Sequence, residues 1–183
     1  NYALAEYHDN EAKFPAPAIP VMGNAIAIPA SSANVVEDSD TSTAFHQLVD
    51  AWTTQSNGEL QISCVEGSVL DALAALNMQE ARLSLLTSGE ALAWLAWAGA
   101  SGGAHGRRRG NALGRDAAWW TVASLTGQAS HWPLNNDAFE TAANSLQWFW
   151  WDANEPTTGW NVQLCVHHAE RNRSWAICLN DIA

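Results

Sequence analysis

Apolar residues in this chain follow a helical period in some stretches and alternate with their neighbours in others. Phe45, Leu48 and Trp52 lie three or four positions apart, which places them on one face of a helix that begins near Thr43. Between residues 60 and 65, Leu, Ile and Cys occupy every second position. This period of two predicts a strand with one face on the core. The two periods together predict an α+β fold.

Two capping boxes fix the starts of further helices. Ser68 with Asp71 and Thr87 with Glu90 both have the spacing in which each residue satisfies the other's backbone N–H. Residues 91–98 are apolar on every side, so the helix after Thr87 is expected to run through the middle of the fold. Additional helices are predicted over residues 117–126 and 137–145, and an additional strand over residues 82–86.

The C-terminal part of the chain contains two alternating runs, residues 161–167 and 175–181. They predict an antiparallel hairpin in a sheet that packs on the helices. Centring its loop between Arg171 and Asn172 puts the apolar side chains of both strands on one face, and a slip by one residue would break this arrangement. The pairs expected in this register are Leu164 with Leu179, Val166 with Ile177, and Cys165 with Cys178.

Residues 1–42 differ from the rest in composition. Four prolines interrupt short apolar runs before residue 30, and an acidic stretch follows at residues 37–40. Proline removes a backbone donor and is confined to edge strands or irregular structure. The sequence therefore predicts an extended N-terminal arm over residues 1–42, with one short strand near residues 25–28. A single α+β domain is predicted over residues 43–183.

Composition limits the function classes. The 183 residues carry a formal charge of −11, with eleven tryptophans and three cysteines that lack CxxC spacing. Such cysteine usage predicts a reducing, cytoplasmic location and no zinc ribbon. The longest apolar run, residues 91–98, is too short to cross a bilayer. A chain this acidic repels nucleic acid, so neither a membrane nor a nucleic-acid partner is predicted.

Residues 99–116, GASGGAHGRRRGNALGRD, contain four of the eight basic residues and six glycines. Five of the glycines, at positions 99, 103, 106, 110 and 114, are three or four positions apart, which on a helix forms a smooth face for close backbone approach. The alternative is a loop at residues 99–103 whose N–H groups and arginines surround an anion at the start of the next helix. Phosphate-binding glycine motifs are absent from the sequence, so both interpretations stay open.

We predict a ligand-binding site around this window. Guanidinium groups bind phosphate or carboxylate through paired hydrogen bonds, and histidine can add a donor or a proton. The competing interpretation is that the arginines pair with the chain's own carboxylates. Asp152 and Glu155 could also serve as an acid and base pair, although a solvated turn before Pro156 is the simpler explanation. The predicted ligand-binding residues are His105, Arg107, Arg108, Arg109, Arg115, Trp119, Asp152 and Glu155.

A metal site is not predicted. Cys165, His167 and Cys178 could meet on one face of the final hairpin, but zinc prefers four ligands and the fourth is not evident. The sequence also has no recognisable serine-hydrolase, HExxH or kinase motif, and it predicts no cofactor. Catalytic residues are therefore not assigned.

The window and the later segment LQWFWWDANEPTTGW resemble those of an uncharacterised actinobacterial family of presumed cytoplasmic proteins. The resemblance covers roughly residue 48 to the C terminus and implies no assigned activity. We therefore expect a cytoplasmic binding or interaction module that presents an Arg/His/Trp surface to a small anionic ligand or an acidic protein partner. The alternative is a small enzyme acting on a phosphorylated or carboxylated metabolite. The oligomeric state is not predicted.

Overall fold

The computed structural model describes residues 16–155 and 159–182, and the backbone of residues 6–8 and 11–13. The helices are α1 (Ser39–Leu48), α2 (Asp50–Gln55), α3 (Val69–Ala75), α4 (Ser88–Ser101), α5 (Asn111–Leu125) and α6 (Asn136–Asn144), with a 3-10 turn at Ala129–His131. The strands are β1 (Glu6–His8), β2 (Glu11–Lys13), β3 (Ile26–Ala27), β4 (Asn34–Val35), β5 (Glu59–Glu66), β6 (Glu80–Leu86), β7 (Leu146–Asp152), β8 (Trp160–His168) and β9 (Arg173–Asp181).

One antiparallel sheet organises the molecule. Its strand order is β3-β6-β7-β8-β9-β5-β4, and β1 pairs separately with β2. The last three strands form the expected meander, and the β8–β9 hairpin packs against helices. The predicted α+β fold with an antiparallel sheet is confirmed.

The two faces of the sheet carry different cores. One face buries large side chains such as Trp150 and Trp175 against α1, α2, α4, α5 and α6. The other face is smaller and packs Val65, Cys165 and Trp151 against α3. Alternation along β8 separates its residues between the two cores, because successive side chains in a strand point to opposite faces.

The capping boxes act as the sequence predicts. At the start of α4 the Thr87 hydroxyl accepts the Glu90 N–H at 3.2 Å, and the Glu90 carboxylate accepts the Thr87 N–H at 2.8 Å. The bonds from Thr87 lower the pKa of the Glu90 carboxyl. Ser68 and Asp71 repeat the arrangement at α3. Both helices therefore start where side chains replace missing intrahelical bonds.

The predicted register of the final hairpin is wrong by two residues. Leu164 lies opposite Ile177, and Cys165 lies opposite Ala176. The turn closes earlier than expected because Asn172 adopts a left-handed conformation, with φ 47°, and donates its N–H to the Ala169 carbonyl at 3.0 Å. A shift of two preserves the face of every side chain, so Cys165 and Cys178 still share a core.

Part of the N-terminal region joins the sheet. The short strand expected near residues 25–28 is β3, which pairs with β6, while β4 pairs with β5 at the opposite edge. Ile28 is buried. Helix α1 starts at Ser39, ahead of the predicted Thr43, because the Asp38 carboxylate accepts the Thr41 N–H at 3.3 Å. The domain boundary after residue 42 stays a prediction.

Candidate functional site

The glycine and arginine window forms the end of α4, a loop over residues 102–110, and the start of α5. The helix interpretation holds for Gly99 and Gly114, where α4 and α5 approach closely, while the loop begins at Gly102 rather than at Gly99. Gly114 meets α4 so closely that an added Cβ would lie 2.2 Å from the Ala96 carbonyl oxygen. Gly102 ends α4 in the left-handed region, with φ 78°, which costs glycine little. The helices are thus held in contact and the loop turns sharply between them.

The Arg108 side chain lies on the inner side of the loop, next to Trp160. Its guanidinium Nη1 donates to the Ser101 carbonyl and, at 2.6 Å, to the Gly103 carbonyl. The guanidinium carbon lies 4.6 Å from the centre of the Trp160 ring. A cation at a helix C terminus is stabilised by the carbonyls that lack intrahelical partners. Arg108 therefore completes the end of α4 and covers a core tryptophan.

A buried carboxylate accepts a hydrogen bond from the main chain of the same loop. Asp181, at the end of β9, is fully buried, and its Oδ2 accepts the Ala104 N–H at 2.7 Å. The end of the loop is fixed by the Arg109 N–H, which donates to the Ala100 carbonyl at 2.8 Å. The main chain of the loop is thus anchored at several points, which gives its outward side chains defined positions.

His105 and Arg107 lie on the outer side of the loop. Both residues are exposed. Their backbone N–H groups donate to the Ser56 hydroxyl at 3.0 Å and to the Gln55 side-chain oxygen at 3.1 Å, respectively. These bonds fix the main chain against the end of α2 and leave the two side chains at the surface.

Arg109 borders a groove that lies between α1 and α5. It is half-buried, and its Nη1 donates to the Gln47 carbonyl at 3.1 Å. This bond ties the start of α5 to the last turn of α1. The groove has a volume of about 730 Å³. Its lining is completed by Thr43, His46, Gln47, Asp50, Leu113, Asp116, Ala117, Trp120 and Trp132.

Two tryptophans form one wall of this groove. The Trp120 and Trp132 rings meet edge to face, with centroids 5.6 Å apart and planes at 76°. The Trp120 indole N–H is buried and lacks a hydrogen-bond acceptor among residues 16–155 and 159–182. A buried donor without an acceptor is unfavourable.

Arg115 and Trp119 lie on α5, outside the loop and outside the groove lining. Arg115 is exposed. Trp119 is 36% exposed and stacks on Phe139 of α6, with centroids 4.2 Å apart and planes at 16°. Stacked rings of this kind hold neighbouring helices together. Trp119 therefore has a packing role between α5 and α6.

Asp152 pairs with Arg82 rather than with an arginine of the window. Arg82 donates Nε and Nη2 to the two carboxylate oxygens, each at 2.8 Å. Burial favours the protonated acid, but the bonds from Arg82 and from the Asn154 N–H outweigh it and lower the pKa of Asp152. Glu155 is exposed in the following turn. This carboxylate pair thus belongs to the β6–β7 end of the sheet.

Sequence reasoning identified Arg109 but missed most of the groove. Asp116 and Trp120 are four residues apart on α5 and share a helix face, whereas His46 and Asp50 lie on two successive helices, α1 and α2. The sequence does contain a pattern that predicts this face of the groove, since Leu113, Ala117 and Trp120 lie three or four positions apart. It was overlooked because α5 begins at Asn111, six residues before the predicted start.

Other reactive side chains have structural partners. His167 Nδ1 lies 2.9 Å from the Ser174 hydroxyl, which donates to the Gly67 carbonyl at 2.6 Å. A serine that gives its proton to a carbonyl is not activated as a nucleophile. Burial raises the pKa of the Cys64 thiol to about 11. Within the described ranges, no three His, Cys, Asp or Glu side chains are grouped to hold a metal.

A family model described as a family of unknown function, DUF6183, matches residues 1–182. The chain belongs to this family. The resemblance to a family without assigned activity is thereby confirmed, and it extends over the N-terminal residues as well. Comparison with curated proteins and with solved structures gives no match to this DUF6183 member. None of its described helices is long and apolar enough to cross a membrane.

Proposed function

We propose that this DUF6183 protein is a binding module that holds a small anionic ligand in the groove between α1 and α5. The observation that carries the proposal is the position of Arg109, a half-buried guanidinium at the border of a groove of about 730 Å³. A guanidinium has five N–H donors in a planar fork. Its described bond to the Gln47 carbonyl uses one of them.

The anion expected at Arg109 is a carboxylate or a phosphate. Both accept paired bonds from a planar guanidinium. Leu113 and the tryptophan pair add an apolar surface to the groove. A ligand with an anionic head and an apolar body therefore fits better than a bare anion.

An acidic protein partner fits less well. The groove is also lined by Asp50 and Asp116, and two carboxylates repel an acidic surface. An enzymatic role gains no support from the described residues, because the groove lacks a nucleophile hydrogen-bonded to a base. The cytoplasm stays the proposed location, based on cysteine usage.

Thermal-shift titrations with hexanoate and with inorganic phosphate test the proposal. The native protein is expected to melt at a higher temperature as the concentration of either anion rises, because a ligand that binds only the folded state stabilises it. Arg109→Ala should lower the affinity at least tenfold, about 1.4 kcal/mol. Arg107→Ala is the matched control, since Arg107 lies in the same loop but outside the groove lining. Equal losses in both variants, or no shift with either anion, would contradict the proposal.

A further inference from the structure

Two carboxylates line the same groove as Arg109. A ligand that is only anionic makes no favourable contact with either of them. Asp50 and Asp116 are exposed, and neither has an ion pair in the part of the chain that the structure describes. One arginine against two aspartates gives the lining a formal charge of −1 with His46 neutral. A ligand that is only negative is therefore attracted by one residue and repelled by two.

Asp116 lies beside the aromatic wall. Trp120 follows it by four residues on α5, so the two side chains share a helix face. Indole faces attract cations electrostatically, and the attraction adds to that of a nearby carboxylate. An aspartate next to the Trp120 and Trp132 pair is thus suited to a protonated amine, and Arg109, which can bind a carboxylate, lines the same groove.

We infer that the groove binds a zwitterion, with its carboxylate on Arg109 and its protonated amine between Asp116 and the tryptophan pair. This inference rests on the proposed function, because Arg109 supplies the anion-binding end. It accounts for the aspartates, which the anion alone does not. The ligand is neutral overall, so the acidic chain does not repel it at long range.

Arg109 precedes α5 and Asp116 lies in its second turn, so the two charged groups come from different positions along the helix. From Asn111 to Asp116 the axis of α5 advances about 7 Å. An α-amino acid carries both charges on one carbon, whereas a longer ligand can place its charges near two residues that are seven positions apart in the sequence. The chemical class is therefore an ω-amino carboxylate or a short peptide, in which several atoms separate the amine from the carboxylate.

The test compares four probes on the full chain: 6-aminohexanoate, hexanoate, hexylamine and alanine. Binding is followed through the indole N–H resonances of Trp120 and Trp132 in ¹⁵N-labelled protein, assigned with Trp120→Phe and Trp132→Phe. We expect 6-aminohexanoate to bind at least tenfold more tightly than hexanoate or hexylamine, and alanine not to bind. Asp116→Asn should remove most of the preference for 6-aminohexanoate over hexanoate, whereas Arg107→Ala should preserve it.

The possible failures separate the two proposals. Equal affinities for hexanoate and 6-aminohexanoate, both lost in Arg109→Ala, would overturn the zwitterion and leave the anion site intact. Hexylamine binding that equals 6-aminohexanoate binding and survives Arg109→Ala would overturn both. Absence of binding by every probe would also overturn both. Asp116 is exposed, so its variant is expected to fold, and a melting curve for each variant verifies this.

Discussion

Arg108 and Arg109 are neighbours in sequence but lie on opposite sides of one loop. Arg108 turns inward, donates to two carbonyls at the end of α4 and covers Trp160. Arg109 turns toward the groove and donates to the Gln47 carbonyl on α1. A cluster of like charges therefore combines two roles, since the inner arginine fixes the loop that presents the outer one.

The largest expected effect on stability comes from the inner side. Arg108→Ala removes the charge-assisted hydrogen bonds to the Ser101 and Gly103 carbonyls, which should lower the free energy of unfolding by about 3 kcal/mol. Urea denaturation followed by tryptophan fluorescence measures the change. Arg107→Ala, an exposed position in the same loop, should change it by less than about 0.5 kcal/mol. Similar losses at both positions would remove the distinction between inner and outer arginines.

The second effect concerns the contact that positions the loop. Gly114→Ala would put a Cβ 2.2 Å from the Ala96 carbonyl and force α4 and α5 apart. Overpacking of this kind costs about 1–3 kcal/mol and exceeds the gain of about 1 kcal/mol that alanine brings to a helix. We expect a net loss of up to about 2 kcal/mol in urea denaturation.

Gly89 provides the matched control for this substitution. It lies in α4, and an added Cβ there would meet nothing within 4 Å. Gly89→Ala should therefore show the helix preference alone and stabilise the protein by up to about 1 kcal/mol. If both variants are stabilised, the close approach of α4 and α5 at Gly114 is incorrect.

The fold was more predictable than the site, for a physical reason. Capping boxes such as Thr87 with Glu90 are local, so a few residues determine them. The β8–β9 register is not local: pairing Leu164 with Leu179 or with Ile177 buries the same faces, and only the turn at Asn172 distinguishes them. Alternation predicted the faces and could not predict the register.

The groove was hard to predict because it forms between distant segments. His46 and Trp120 are far apart in sequence and meet only when α1 packs on α5. The arginine run predicted a binding site through its charge alone. Charge does not show which arginine side chain packs against the inner side of the loop. The two-residue strand β4 was not predicted, since so short a segment has no measurable period.

A third, smaller effect should depend on pH. Asp152 was predicted to bind ligand, but its carboxylate is hydrogen-bonded to Arg82. The pKa of this carboxyl is lowered in the folded protein. A lowered carboxyl pKa stabilises the fold above the unfolded pKa, about 3.9. That contribution is lost as the pH falls through the lowered folded value. Asp152→Asn should therefore be less stable than the native protein at pH 7 and converge with it in acid.

Thermal unfolding at several pH values measures this difference. Asp116→Asn serves as the control, because Asp116 is an exposed aspartate on the groove side. It should show little difference from the native protein at any pH in the absence of ligand. If the stability difference between Asp152→Asn and the native protein stays constant across the acid range, the ion pair between Asp152 and Arg82 is not its source.

The smallest expected effect on stability is that of Arg109→Ala. The main chain at this position keeps its own anchor, because the Arg109 N–H donates to the Ala100 carbonyl independently of the side chain. The lost bond to the Gln47 carbonyl is worth about 0.5 kcal/mol, because Arg109 is only half-buried. Urea denaturation should therefore barely distinguish Arg109→Ala from Arg107→Ala, although only the former weakens anion binding. A loss as large as that of Arg108→Ala would mean that Arg109 also supports the fold, and its value as a ligand contact could no longer be read from that variant.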